Sequence, residues 1–290
     1  MSDVNLGGEF SDLFSQLRWL KWGNCPSNFE ARKFHAGELV ILDLSGSPIS
    51  DVWQGWHSMM KAEKLKVLNL TSCHSLKRTP YLSSFQRLEI LILRDCSNLE
   101  QIDNCIGNME NLVSLDLSGC SGLKELPLQM ANLEQLKELL LDETTMQEIP
   151  SFISYLKKLE TLSARDCKSL IGFPDSIGNL VNLSTLVLSG CVELATLPHS
   201  IGSLENLRCL SLGSCQQLRE IPSWIGSLKL LTQLDLSGCS RIQQLPPQIG
   251  ELKQLEELLL DETAIQEIPF FISSLEKLEM RSANNCKLTL

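Results

Sequence analysis

Eleven cysteines and four histidines are the residues of this 290-residue chain with the most reactive side chains. They could form a thiol–imidazole nucleophile, a zinc site or a set of disulfides. A Cys–His nucleophile needs the two groups within hydrogen-bond reach, yet His35, His57, His74 and His199 are scattered, and only His74 adjoins a cysteine, Cys73. No Cys-x-x-Cys pair exists, which argues against zinc. The cysteine spacing points elsewhere. Cys25, Cys73, Cys96, Cys120, Cys167, Cys191, Cys215, Cys239 and Cys286 each stand eight residues after a particular leucine, and only Cys105 and Cys209 do not. Thiols locked to a period have a structural reason first.

The period belongs to the elements that must hold them. The frame L-x-x-L-x-L-x-x-C-x-x-L-x-x-L-P-x-x-I-G-x-L recurs, opening at Leu17, Leu39, Leu65, Leu88, Leu112, Leu136, Leu159, Leu183, Leu207, Leu231, Leu255 and Leu278. Most intervals are 23 or 24 residues, the first 22 and the second 26. In the unit LVSLDLSGCSGLKELPLQMANLEQ, Leu115 and Leu117 alternate and so share one face of a short strand. Leu123 and Leu126 continue the inward set, Pro127 stops the ladder, and Met130 and Leu133 return the chain. One unit cannot bury its apolar side; stacked units can. The expected fold is an α/β leucine-rich-repeat solenoid, right-handed and curved. It has a parallel sheet on the concave face and loops, turns and short helices on the convex face. Twelve strands would make a sheet on the order of 55 Å long.

The recurrent cysteine falls where the chain leaves the strand and carbonyls of neighbouring coils would be buried. A small apolar residue with a weak S–H donor suits that site. Thr144 and Thr263 take it in two coils that are one residue shorter, and Ser47 in the second. A second period overlies the first: residues 112–167 match 231–286 at an offset of 119, with 35 of 56 positions identical, a segmental duplication of five repeats. Residues 1–16 lack the frame and are expected to cap the array, through Phe10, Leu13 and Phe14. The repeat domain then runs 17–290. Arg281 replaces a core leucine in the last unit, and no polar cap follows, which suggests a truncated chain or a piece of a longer one.

Charge excludes several functions. Lys+Arg 25 against Asp+Glu 35 gives a net charge of -10, the wrong sign for tracking phosphates or an anionic leaflet. No phosphate-binding loop, dinucleotide fingerprint, H-E-x-x-H or G-x-S-x-G occurs. The expectation is a non-catalytic protein with no cofactor and no metal. No run of apolar residues is long enough to span a bilayer, and without a basic stretch followed by an apolar one at residues 1–10 no secretory leader is expected. A cytoplasmic or nuclear location is expected, so the sequons at Asn69 and Asn182 read as chance and the thiols as reduced.

Binding is then the remaining activity. The residues between and after the strand leucines face solvent on the concave side. One row reads Asp43, Asn69, Ile92, Asp116, Leu140, Ser163, Val187, Ser211, Asp235, Leu259, Ser282. The next reads Ser45, Thr71, Arg94, Ser118, Asp142, Arg165, Ser189, Gly213, Ser237, Asp261, Asn284. Apolar Ile92, Leu140, Val187 and Leu259, rimmed by Arg94, Asp142, Glu143, Arg165 and Asp261 and joined by Asp116 and Asp235, form the expected protein-binding surface. Trp19, Trp22, Trp53 and Trp56 cluster early and read as packing of the first coils rather than a ligand platform.

The run LRWLKW (17–22) with Pro26, then ELVILDLSGSPISDVWQGW (38–56) and KLKVLNLTSCHSLKRTP (64–80), resembles the start of the repeat region in plant intracellular nucleotide-binding immune receptors. The similarity is greatest to the subclass with a Toll/interleukin-receptor-like domain, and the later SGCSxLxxLPxxIGxLxxL units fit it. The resemblance implies a region that senses a pathogen effector or a modified host protein. It also implies one that restrains a nucleotide-binding domain, in cis or in trans. The signalling and nucleotide-binding domains are not in this sequence, so the resemblance implies no ATP or NAD chemistry here. The LPxxIGxLxxL frame also occurs in small-GTPase-associated signalling scaffolds, and an inactive receptor fragment is a third reading.

Overall fold

A computed structural model describes residues 16–27 and 36–279, with the backbone of 287–288. The expected N-terminal cap, apart from residue 16, and the sites of Arg281, Ser282, Asn284 and Cys286 lie outside the described residues. Eleven short strands form one parallel sheet in chain order. They are β1 (Trp19–Lys21), β2 (Ile41–Asp43), β3 (Val67–Asn69), β4 (Ile90–Ile92), β5 (Ser114–Asp116), β6 (Glu138–Leu140), β7 (Thr161–Ser163), β8 (Thr185–Val187), β9 (Cys209–Ser211), β10 (Gln233–Asp235) and β11 (Glu257–Leu259). The twelfth frame would place its strand beyond Glu279, outside the described residues. Ten strand-to-strand steps make the sheet about 48 Å long. A separate pair, β12 (Glu267–Ile268) with β13 (Lys287–Leu288), joins the last coils on another side.

The middle residue of every strand from β2 onward is a leucine aligned with the leucine before it, and all ten are buried. In the unit singled out above, Leu115, Leu117, Cys120, Leu123, Met130 and Leu133 are fully buried. The chain is therefore a leucine-rich-repeat solenoid whose core is one continuous column. Each coil buries its apolar face only against the next.

The opposite side is built from 3-10 turns, with one short α-helix, Trp56–Met59, among the described residues. Five residues separate the proline from the next inward leucine, too few for a helix to develop. The prolines serve as N-caps with extended backbone, as at Pro127, Pro150 and Pro198. Where the I-G pair occurs, its glycine lets the next turn approach closely. A Cβ on Gly178 would lie 2.4 Å from the Ser200 carbonyl oxygen, and one on Gly107 2.5 Å from that of Gln129. The helix occurs in the longest coil, where Trp53 and Trp56 pack edge to face at 5.3 Å. Their ring N–H groups donate to the carbonyls of Pro26 and Ser50. Both are buried and Trp22 packs on the core, as expected of cap packing; Trp19 is 64% exposed on the sheet face.

Candidate interaction surface

The ladder cysteines are not reactive centres. Each described thiol after the first donates to the carbonyl of the last inward residue one coil back: Cys73 to Leu44, Cys96 to Leu70, Cys120 to Leu93, Cys167 to Leu141, Cys191 to Ala164, Cys215 to Leu188 and Cys239 to Leu212, at 3.1–3.4 Å. Ser47 does the same toward Trp22 with its hydroxyl. Thr144 and Thr263 turn back to their own coils, to Leu141 and Leu260. Burial raises these thiols, to about 11 at Cys73 and Cys239 and about 12 at Cys120 and Cys215. A thiol so hard to ionise is a poor nucleophile. His57, His74 and His199 are exposed, and His74 approaches Ser97 Oγ at 3.2 Å. No group of three metal-competent side chains exists among the described residues.

The concave face is where side chains converge. Strand register places Asp43, Asn69, Ile92, Asp116, Leu140, Ser163, Val187, Ser211, Asp235 and Leu259 in one unbroken row. Ile92, Leu140, Val187 and Leu259 are partly exposed in it. The polar members have a local duty as well. Asp43, Asn69, Asp116 and Asp235 accept the backbone N–H two residues on, at 2.9–3.0 Å, and so hold the turn at the strand end. Asp116 is also gripped by Arg94 Nε at 3.0 Å and is nearly buried. Hydrogen bonding to Asp116 holds the Arg94 guanidinium above its usual range. Asp142 instead reaches forward, accepting from Ser163 Oγ and the Arg165 backbone N–H. Of the predicted binders, Asp116 and Asp235 are thus anchored in the scaffold, while Arg165 is exposed.

Two further rows line the face: one escaped the sequence argument, and the other entered it only at Glu143. The first strand position also faces outward, two residues before the row just described, and period two alone would have found it. It reads Trp19, Ile41, Val67, Ile90, Ser114, Glu138, Thr161, Thr185, Cys209, Gln233, Glu257, apolar across its first four strands. The other follows the strand, where every described coil turns through a left-handed residue. Glycine stands there at 46, 119, 190 and 238, and Asp95, Glu143, Asp166 and Glu262 in other coils. Those carboxylates add to Asp43, Glu138, Asp142, Asp235, Glu257 and Asp261, against only Lys21, Arg94 and Arg165 among the described residues of these rows. The face is acidic, with apolar residues set into it. Between β7 and β10 a basin of about 330 Å³ opens over a floor of small residues, Ser189, Gly190, Ser211 and Gly213.

Comparison with known proteins agrees with the geometry. A family profile described as "Leucine-rich repeat region" matches residues 64–196, and one described as "Leucine Rich Repeat" matches 206–228 and 230–252. Disease resistance protein RML1A of Arabidopsis thaliana is 29% identical over 184 residues, 56% of this chain and 18% of that protein. Disease resistance protein RPV1 of Vitis rotundifolia is 35% identical over 109 residues, 38% of this chain and 8% of that protein. The chain thus spans less than a fifth of these relatives' length. Among solved structures, a leucine-rich-repeat protein of Leptospira interrogans superposes with a TM-score of 0.64 at 25% identity, covering 94% of this chain and 80% of that one. A plant peptide hormone receptor, RGFR1 in complex with RGF2, has a TM-score of 0.51 at 22% identity, covering 93% and 50%, and supports the fold alone.

Proposed function

Taking as premise that this chain is a leucine-rich-repeat protein related in sequence to plant disease resistance proteins, we propose that it is a non-catalytic recognition module acting through its concave face. Its partners are proteins: a pathogen effector or a modified host protein, and the nucleotide-binding domain of a receptor. It acts in the cytoplasm or nucleus. One observation carries the reading. Ile92, Leu140, Val187 and Leu259 stand partly exposed in a single row on a sheet whose charged residues are mostly acidic, which leaves apolar area for a partner to cover. The relatives' disease-resistance role supports the choice of partners. No helix of the described residues is long and apolar enough to cross a membrane.

The test is a pull-down from plant extract with the purified chain and two variants. Ile92→Glu combined with Arg94→Glu should lose partners that the wild type captures. Val181→Glu, on a turn away from the sheet, should keep them. Both variants must first show native circular dichroism. Retention of every partner by the folded Ile92/Arg94 variant would discard the concave face as the binding surface.

A further inference from the structure

The concave face carries the same surface twice. β5 and β6 lie in the segment that β10 and β11 repeat five coils later, and the outward residues Leu140, Asp142 and Glu143 recur as Leu259, Asp261 and Glu262. The neighbouring strand repeats Asp116 and Ser118 as Asp235 and Ser237. Glu138 accepts from Ser114 Oγ at 2.6 Å, and its counterpart Glu257 accepts from Gln233 Nε2 at 3.2 Å. The donor has changed and the carboxylate has not.

Exposed positions elsewhere in the two copies are mixed: Ser121, Gln147, Glu148 and Lys158 recur as Ser240, Gln266, Glu267 and Lys277, while others have changed. Gln243 stands where the first copy has Lys124, Pro247 where it has Leu128, Lys253 where it has Glu134, and Glu256 where it has Lys137. The last two reverse charge. The fold does not account for what was kept. Other coils fill the leucine position with Ile92, Ser163 or Val187, so leucine is not a requirement there. Glutamate is a poor choice for a left-handed residue, where four other coils use glycine. Neither the leucine nor the glutamate is required by the fold, so the sheet offers a partner the same apolar centre and the same carboxylates at two places.

We propose that the two patches are equivalent docking points for a partner that presents a basic, aliphatic-centred contact twice, about 24 Å apart along five strand steps. This deepens the recognition reading and rests on it. Each partly exposed leucine offers apolar area at the centre of the contact. The flanking carboxylates match lysine or arginine on the partner. The basin of about 330 Å³ between the patches leaves clearance for whatever links the two contacts.

The probes are two synthetic peptides, followed by fluorescence anisotropy at low ionic strength. One carries a single Arg-Leu-Lys unit. The other carries two such units joined by a Gly/Ser linker of roughly 20 residues, whose mean span matches the separation. The two-unit peptide should bind on the order of 10²-fold more tightly. Leu140→Ser or Leu259→Ser alone should abolish that advantage while leaving single-unit binding nearly unchanged, and the double variant should bind neither peptide. Equal affinity for the two peptides, or binding of neither, overturns the proposal. Partner capture that survives in the folded Leu140→Ser/Leu259→Ser double variant, yet is lost on changing Ile92 and Arg94, removes the paired patches and leaves the recognition reading standing.

Discussion

At the scale of single residues, the cysteine ladder ties each coil to the one before it, and the left-handed turn sets the backbone at each strand end. A buried carbonyl already holding one backbone N–H receives a second donor from the next coil: Leu93 accepts both the Cys96 N–H and the Cys120 thiol. Cys120→Ala should therefore cost about 1 kcal/mol from the lost bond and vacated volume. Cys120→Ser, which keeps a donor as Ser47 does, should cost less; urea melts of the two variants give the comparison. The same thiols make stability pH-dependent. Their ordinary value is 9.0, and burial raises it to about 11 or 12 in the fold. The unfolded chain therefore ionises first, and the contribution is intact below pH 9 and drains away between pH 9 and 12. The melting temperature should be flat from pH 7 to 8.5 and fall above pH 9. A flat profile to pH 11 would contradict the burial of the ladder. The left-handed glutamates are a separate matter. Glu143→Gly or Glu262→Gly relieves backbone strain and should stabilise by up to about 1 kcal/mol, net of the freer unfolded chain. If the doubled patch binds as proposed, the same change weakens binding, so stability and affinity should move in opposite directions.

At the scale of elements, several 3-10 turns pack closely against the next where glycine follows the isoleucine, while Ala131, Ser154 and Ser273 stand there in others. Gly178→Val puts its Cβ against the Ser200 carbonyl, a backbone atom that can yield only if the turn shifts. A loss of roughly 1–3 kcal/mol is expected, read from the shift in urea midpoint. Gly172, with nothing near its Cβ, provides the contrasting site, where Gly172→Ala should be nearly neutral. The strands show why the concave surface was only partly foreseen. Three residues per strand leave two outward positions, and the alternation places Trp19, Ile41, Val67 and Ile90 on the same face as Ile92.

At the scale of the whole molecule, each coil touches only its neighbours, so coils can be removed without losing register. Deleting residues 183–206 joins Asn182 to Leu207, which opens the next frame, and should leave a folded protein with native circular dichroism. The deletion also brings Leu140 and Leu259 closer by one strand step, about 4.8 Å. The two-unit peptide should then prefer a correspondingly shorter linker. An unfolded deletion product would show that the array is more than a sum of adjacent contacts.

Leucine spacing determined the architecture because burial is periodic: a residue inside one coil is inside all of them, so the frame gave every buried strand leucine and the role of the thiol before any coordinate. The row of Asp43 through Leu259 came from the same arithmetic. Tertiary structure alone decided how those outward residues spend their polar groups. Asp116 and Asp235 looked available in the sequence, but their oxygens cap their own turns, a matter of angles that spacing does not encode. The small-residue basin between the patches depends on which coils lie side by side. Packing fixes those distances, and a one-dimensional pattern carries no distances across coils.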